Sequence, residues 1–172
     1  MRPNAIRFAR AADLPEIVGI YNASIPGRMA TADTAPVTVE QRLPWFREFD
    51  PLRRPLWVAE ADGRVAAWLS LRSFYGRPAY AGTVEVGVYV SPEAQRQGLG
   101  GALLAHALGA ARALNINTLL AFIFAHNAAS VRLFERAGFV HWGLLPRIAE
   151  LDGAERDVAI LGRRVDGTGS VE

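Results

Sequence analysis

Cysteine and lysine are both missing from this 172-residue chain, and all 19 of its cationic side chains are arginine. Without a thiol there is no disulfide framework, no thiolate metal cluster and no cysteine nucleophile. Without an ε-amine there is no lysine Schiff base and no P-loop. Imidazoles are scarce as well: His106, His126 and His141 are the only three, and no two of them share the close spacing of metal ligands on one helix, so no metal is expected. Strong net charge is also missing. Nineteen cations against 17 anions leave +2, and the pI of about 9.5 reflects the untitratable guanidinium group and not an excess of positive charge. That is a weak footprint for nucleic acid. No run reaches the roughly 18 uncharged apolar residues of a membrane span, and Met1 to Arg10 is followed by no signal-peptide core. The expectation is a soluble, cytoplasmic protein with neither a nucleic-acid nor a membrane partner.

What the chain does have is core material. Apolar residues make up 51% of it, enough at this length to fill one domain and not two. That domain is expected over residues 1–165, and the small, polar stretch 166–172 is expected to be disordered.

Ile6 to Ala9 reads as a short strand. Asp13-Leu-Pro-Glu16 has the pattern of an N-cap with an acidic third position, opening a helix to about Ser24. Residues 25–36, rich in Pro, Gly, Thr and Asp, have neither periodicity and read as a long functional loop. Thr38-Val-Glu-Gln41 is a second capping box, before a helix carrying Leu43, Trp45, Phe46 and Phe49 toward Asp50-Pro51. Leu56 to Glu60 and Arg64 to Ser73 flank Asp62-Gly63, a dipeptide that favours a tight hairpin turn. From Thr83 to Val90, Val84, Val86, Val88 and Val90 alternate with Thr83, Glu85, Gly87 and Tyr89, giving a strand with two distinct faces. Leu99, Leu103, Ala107, Ala111 and Leu114 recur at helical spacing over 98–114. Thr118 to Phe124 reads as a buried strand. Asn127 opens a helix that turns Val131 and Phe134 inward and stops at Gly138, and Phe139 to Leu145 and Val158 to Arg164 read as two closing strands.

The most distinctive local signal is Gln95-Arg96-Gln97-Gly98-Leu99-Gly100-Gly101, between the strand ending at Val90 and the helix running to Leu114. Glycines let backbone N–H groups converge, and the helix behind them offers its positive dipole end. The loop suits a pyrophosphate, or is a tight connection and no more. It is neither a dinucleotide-binding G-x-G-x-x-G nor a P-loop. Glu85 is on the non-valine face of its strand, where a glutamate is often simply solvated. Gly87, two residues on, marks a bulge or the close approach of a ligand.

Q-R-Q-G-L-G matches Q/R-x-x-G-x-G/A, the acyl-CoA loop of the GNAT N-acetyltransferase superfamily. Asn127-Ala-Ala-Ser130-Val-Arg-Leu-Phe134-Glu-Arg-Ala-Gly138-Phe139 resembles that superfamily's second signature, N-x-x-S-x-x-L-Y/H-E-x-x-G-F. Arg77-Pro-Ala-Tyr80-Ala-Gly-Thr83-Val84-Glu85, with Val88-Tyr89-Val90 after it, is similar to R-x-A-Y-x-x-T-x-E-x-x-V-Y-V of its phosphinothricin acetyltransferase branch. The likeness extends from about Ile6 to Val165. It implies a mixed α/β fold whose central, mostly antiparallel sheet is flanked by helices and splayed between the strands at 83–90 and 118–124, with acetyl-CoA in the splay. It further implies that the backbone N–H groups of Arg96, Gln97, Gly98, Gly100 and Gly101 hold the pyrophosphate, with Gln95 starting the loop. The backbone of Val88 and Val90 would pair with the pantetheine amides. Asn127 would bond the pantetheine arm with Ser130 near it, a role compatible with helix capping.

By the same resemblance, Arg77 and Tyr80 fall on substrate-contacting positions, although a surface loop arginine would look the same. Phe74, Tyr75 and Tyr80 form an aromatic wall or pack as core. An arginine fork suits a carboxylate, and hence an amino-acid-like acceptor. Glu85 falls on the position of the branch's proposed base: an ammonium of pKa about 10 must lose a proton before its nitrogen attacks a thioester.

The implied activity is transfer of the acetyl group of acetyl-CoA to the primary amine of an amino acid or of an amino-acid-like toxin of the phosphinothricin or methionine sulfoximine type. The resemblance also implies a homodimer, for which the aromatic helix around Trp45 is the candidate interface. With no cysteine to carry an acetyl group, the amine attacks directly in a ternary complex. Two other readings stay open: acetylation of a protein N-terminus, and a non-catalytic acyl-CoA-binding sensor. The second is prompted by Phe134, which stands where the branch has a His or Tyr to protonate the departing sulfur. CoA would then leave as thiolate or take its proton from water or from a neighbour such as His126. Ala32 also departs from the pattern, replacing a common Phe and implying a wider or differently shaped pocket. His106 and His141 match no catalytic position.

Overall fold

The computed structural model describes residues 5–165; the expected disordered tail, 166–172, lies outside the described residues. Strand β1 is Ala5–Phe8, followed by helices α1, Leu14–Ser24, and α2, Val39–Phe46. Strands β2, Leu56–Ala61, β3, Arg64–Ser73, and β4, Thr83–Val90, lead into helix α3, Leu99–Ala110. Strand β5, Thr118–Phe124, helix α4, Ala128–Arg136, and strands β6, Val140–Leu151, and β7, Ala154–Arg164, complete the order. The seven strands form one sheet in the order β1-β2-β3-β4-β5-β7-β6, in which β4 and β5 are the parallel pair and the other neighbours are antiparallel.

The two-faced pattern of β4 sets the layers. Val84 and Val86 are buried with Leu69, Leu71, Leu119 and Ala121 against Leu99, Leu103 and Leu104 of α3 and Phe134 of α4. On the opposite face, Trp68 and Val58 join Ile17, Ile20 and Tyr21 of α1, with Trp45 and Phe46 of α2 packed outside them. Trp68 stacks on Tyr89 with ring centres 4.4 Å apart. Trp57 and Trp68 are both core residues.

β4 runs beside β3 without interruption from Ser73↔Val84 to Ala67↔Val90. It meets β5 only at Thr83↔Thr118, Val84↔Leu119 and Glu85↔Leu120. The sheet therefore forks immediately beyond Glu85, as the resemblance implies.

Three local expectations change. Asp13 does not cap α1: its carboxylate takes a bidentate fork from Arg7 at 2.7 and 2.9 Å and the N–H of Arg10, because a charged donor on the preceding strand binds it more strongly than a helix N–H. Glu16 accepts from Val65 N–H at 3.1 Å and pairs with Arg64. The Thr38–Gln41 box does form in both directions. Regular α3 stops at Ala110. The last two strands are longer than expected, meeting at Asp152-Gly153, whose φ values of 52° and 77° match the 52° and 76° of Asp62-Gly63.

Candidate active site

The fork leaves β4 with unmatched backbone. Phe74 N–H donates to Thr83 O at 3.2 Å and Ser91 N–H to Ala66 O at 2.8 Å, so the odd-numbered residues of β4 turn their peptide groups toward β3. The even-numbered ones turn theirs toward β5, since pairing direction alternates along a strand. Beyond Leu120 no β5 residue pairs with β4. The backbone N–H and C=O groups of Val88 and Val90 consequently face an open slot of the kind that an extended amide chain fills as an added strand.

The loop after β4 ends beside this slot. Arg96 and Gly98 take left-handed φ values of 60° and 84°, which turn the chain sharply into α3. The first bond of that helix runs from Ala102 N–H to Gly98 O, so the N–H groups of Leu99, Gly100 and Gly101 have no helical carbonyl one turn back. A Cβ on Gly100 would come 3.1 Å from Leu133 and 3.6 Å from Val88, whereas one on Gly101 would meet nothing within 4 Å. Gln97 folds back to donate to Glu93 O at 3.0 Å, while Gln95 and Arg96 are exposed. The geometry fits an anion at a helix N-terminus.

Glu85 is half-buried on the α1/α2 side of the sheet, directly opposite Arg72 of β3 and Leu120 of β5. Arg72 is itself only loosely engaged, 3.8 Å from Glu48. Gly87 comes next on that face and leaves bare backbone beside Ser70. The structure brings Phe74, Tyr75 and Tyr80 together: Phe74 lies 4.5 Å from Tyr75 and 5.4 Å from Tyr80, both edge-on. It adds a ring that local pattern did not single out, Phe122 of β5, 6.5 Å from Phe74 with planes 11° apart. In the run Thr118 to Phe124, apolar from Leu119 onward, no alternation marks Phe122 as the exposed position. Arg77 is exposed at the start of the 78–80 turn, where its carbonyl accepts from Tyr80 N–H, and no hydrogen bond or ion pair engages its side chain among the described residues.

The long loop 25–37 is anchored over the fork. Tyr89 Oη donates to Ala30 O at 3.1 Å, His126 Nε2 to Arg28 O at 2.9 Å and Asn127 Nδ2 to Met29 O at 2.9 Å. Asn127, 6% exposed, also accepts from Ser130 N–H at 3.0 Å, so one amide caps α4 and holds the loop. Farther along, the Tyr21 hydroxyl bridges Thr31 and Asp33, and Arg42 reaches Asp33 at 3.1 Å while lying 4.1 Å over the Tyr21 ring. Burial pushes the Tyr89 and Tyr21 hydroxyls above the ordinary phenol range.

Phe134 is a core residue, 4% exposed and edge-on to Phe139 at 5.0 Å. His141 is an exposed partner of Glu135. His106 stands edge-on to Trp57 at 5.0 Å, and burial lowers its pKa. Among the described residues no cluster of His, Asp or Glu side chains is arranged to hold a metal, and no helix is long and apolar enough to cross a membrane.

Comparison with known proteins agrees with this geometry. The Bacillus subtilis protein YwnH, whose name places it with the phosphinothricin acetyltransferases, is 50% identical over 93% of this chain and 98% of its own. The L-methionine sulfoximine/L-methionine sulfone acetyltransferase of Pseudomonas aeruginosa is 34% identical over 96% of this chain and 97% of its own. A crystal structure of a phosphinothricin acetyltransferase of the GNAT superfamily from Sinorhizobium meliloti, in complex with acetyl-CoA, superposes with a TM-score of 0.90 at 31% identity, covering 99% of this chain and 93% of that one. Residues 14–139 match the acetyltransferase (GNAT) family. The chain therefore belongs to the GNAT family, in its phosphinothricin acetyltransferase-like branch, and is an acetyl-CoA-dependent N-acetyltransferase.

Proposed function

We propose that the acceptor is the primary amine of an amino acid or of an amino-acid-like toxin of the phosphinothricin or methionine sulfoximine type, and that Glu85 is the base. The observation that carries this is the position of Glu85: the last residue of β4 paired to β5, at the mouth of the fork and on the same face as Gly87. The names of the relatives support the acceptor class.

In this reading acetyl-CoA enters the fork as an added strand. The backbone of Val88 and Val90 holds the pantetheine amides, and Asn127 and Ser130 stand at its arm. The loop from Gln95 through Arg96, Gln97 and Gly98 to Gly100 and Gly101 holds the pyrophosphate on its N–H groups. Arg77 and Tyr80, with Phe74 and Tyr75, receive the acceptor, Arg77 through its carboxylate. Glu85 takes a proton from the acceptor ammonium, directly or through one water, and the freed nitrogen attacks the thioester carbonyl. The C–S bond breaks, CoA leaves as thiolate, a fair leaving group because thiols titrate at about 8.5, and the nitrogen gives its second proton to water as the amide forms. Phe134, an apolar core side chain, supplies no proton.

The same reading takes residues 1–165 as one catalytic domain, supported by the single continuous sheet, and the enzyme as a cytoplasmic homodimer, checked by light scattering and by cell fractionation. The direct test is acceptor-dependent thiol release across an amine panel that includes phosphinothricin and methionine sulfoximine. Glu85→Gln is expected to lose at least about 100-fold in kcat with acetyl-CoA binding unchanged. Full activity in that variant, or activity confined to peptides, would overturn the assignment.

A further inference from the structure

Phe122 is the one exposed side chain of a strand whose other six residues are buried, and it keeps 38% of its surface in contact with solvent. An aromatic ring is an expensive group to leave wet in a strand. Its position explains what it is for. The register places Phe122 two residues beyond Leu120, the partner of Glu85, and so level with Gly87 across the fork. Phe74 is rooted on the far side of β4, level with Thr83. Yet the two ring centres are 6.5 Å apart, with planes 11° from parallel. Adjacent strands are spaced at about 4.8 Å, so rings rooted on the strands to either side of β4 reach that separation by leaning over it. Glu85 falls between their two levels, Thr83 and Gly87, on the same face of the sheet. Gly87 supplies no side chain to fill the space beside them.

We infer that Phe122 determines acceptor specificity: the acceptor's side chain lies against the Phe74–Phe122 pair while its amine faces Glu85. This rests on Glu85 being the base at the fork. Two near-parallel rings present polarisable faces, which favour an extended apolar or sulfur-bearing chain over a short one. Tyr75 and Tyr80 continue the wall outward, so chain length and not charge is what the pair reads.

The experiment compares wild type with Phe122→Ala and Phe122→Leu by thiol release at saturating acetyl-CoA. Acceptors are alanine, norvaline, norleucine and methionine, each beside the plain amine of the same chain lacking the carboxylate. In Phe122→Ala, kcat/KM for norleucine and methionine is expected to fall by about 10-fold or more, chiefly through KM, with alanine little changed. Phe122→Leu, which keeps an apolar side chain of similar volume and protects against a folding failure, is expected to shift the ratio the same way by less. The acetyl-CoA KM and melting temperature of the Leu variant are expected to stay at wild-type values. An unchanged methionine-to-alanine ratio, or a uniform fall across the panel, overturns the inference. A wild-type enzyme that uses only the plain amines overturns the amino-acid acceptor, while the chain-length ratio still decides the role of Phe122. No release with any member overturns both.

Discussion

Replacing Gly98 by alanine separates backbone strain from side-chain crowding in the anion loop. Gly98 holds φ at 84°, and a Cβ there would meet nothing within 4 Å. The penalty is therefore conformational alone. A left-handed L-residue costs about 1–2 kcal/mol, and alanine returns about 0.4–1 kcal/mol of that by stiffening the unfolded chain. The net loss is about 1 kcal/mol, which in a domain of this size lowers the melting temperature by about 2–4 °C. Because Gly98 accepts the first bond of α3 from Ala102, relaxation of its φ tilts the N–H groups of Leu99 to Gly101, and KM for acetyl-CoA should rise with little change in acceptor KM. Gly101→Ala is the control. It sits inside the first turn of α3 in open space, where alanine is worth up to about 1 kcal/mol over glycine, so its melting temperature should rise. Calorimetry and initial rates against acetyl-CoA measure both. A Gly98→Ala enzyme as stable as wild type, with unaltered acetyl-CoA KM, refutes the strained-loop account.

Two further outcomes follow from polar contacts. The Asp13 carboxyl is held below its ordinary range by the fork from Arg7, helped by the N–H of Arg10 and opposed by burial. The unfolded chain thus binds the proton more readily, and the stabilisation is complete above about pH 4 and lost as pH falls through that value toward the folded pKa. Urea midpoints from pH 6 to 3 should show this loss, and Asp13→Asn should flatten it; an equally steep loss in the variant would mean other carboxylates carry the effect. Tyr89→Phe removes the bond to Ala30 O and keeps the stack on Trp68. It should cost about 1 kcal/mol and raise acceptor KM through a looser 25–37 loop, with acetyl-CoA KM as the unmoved reference; equal effects on both KM values would remove the loop from the acceptor site.

What sequence makes legible here is whatever local pattern encodes. β4 is plain because its valine face meets α3 while its other face carries Glu85 and Gly87, and a strand with unlike faces must alternate. Asp62-Gly63 stands out between apolar runs. Asp152-Gly153 adopts nearly the same φ values, but its flanks, Ala-Glu-Leu and Ala-Glu-Arg, show no core-facing run, since this end of the hairpin is held by β6 and β7 pairing with each other. Backbone pairing leaves no mark on residue choice.

The site is less legible for a related reason. Its glycine loop and Asn127 helix are contiguous and readable, whereas the contacts that complete it join residues far apart in the chain. Asn127 and His126 reach residues of the 25–37 loop across 98 positions, and Tyr89 reaches it across 59. Asp13 shows the same competition in miniature: its capping pattern is correct as a local propensity, and a guanidinium six residues back takes the carboxylate instead. A guanidinium fork makes two charge-assisted bonds to a carboxylate where a cap makes one, so a capping pattern beside an arginine on a neighbouring strand is a weak forecast. Phe122 obeys the converse logic. Its identity is unremarkable within an apolar strand, and only the fork, a property of two registers ending at different lengths, leaves that one ring exposed on the face that carries Glu85.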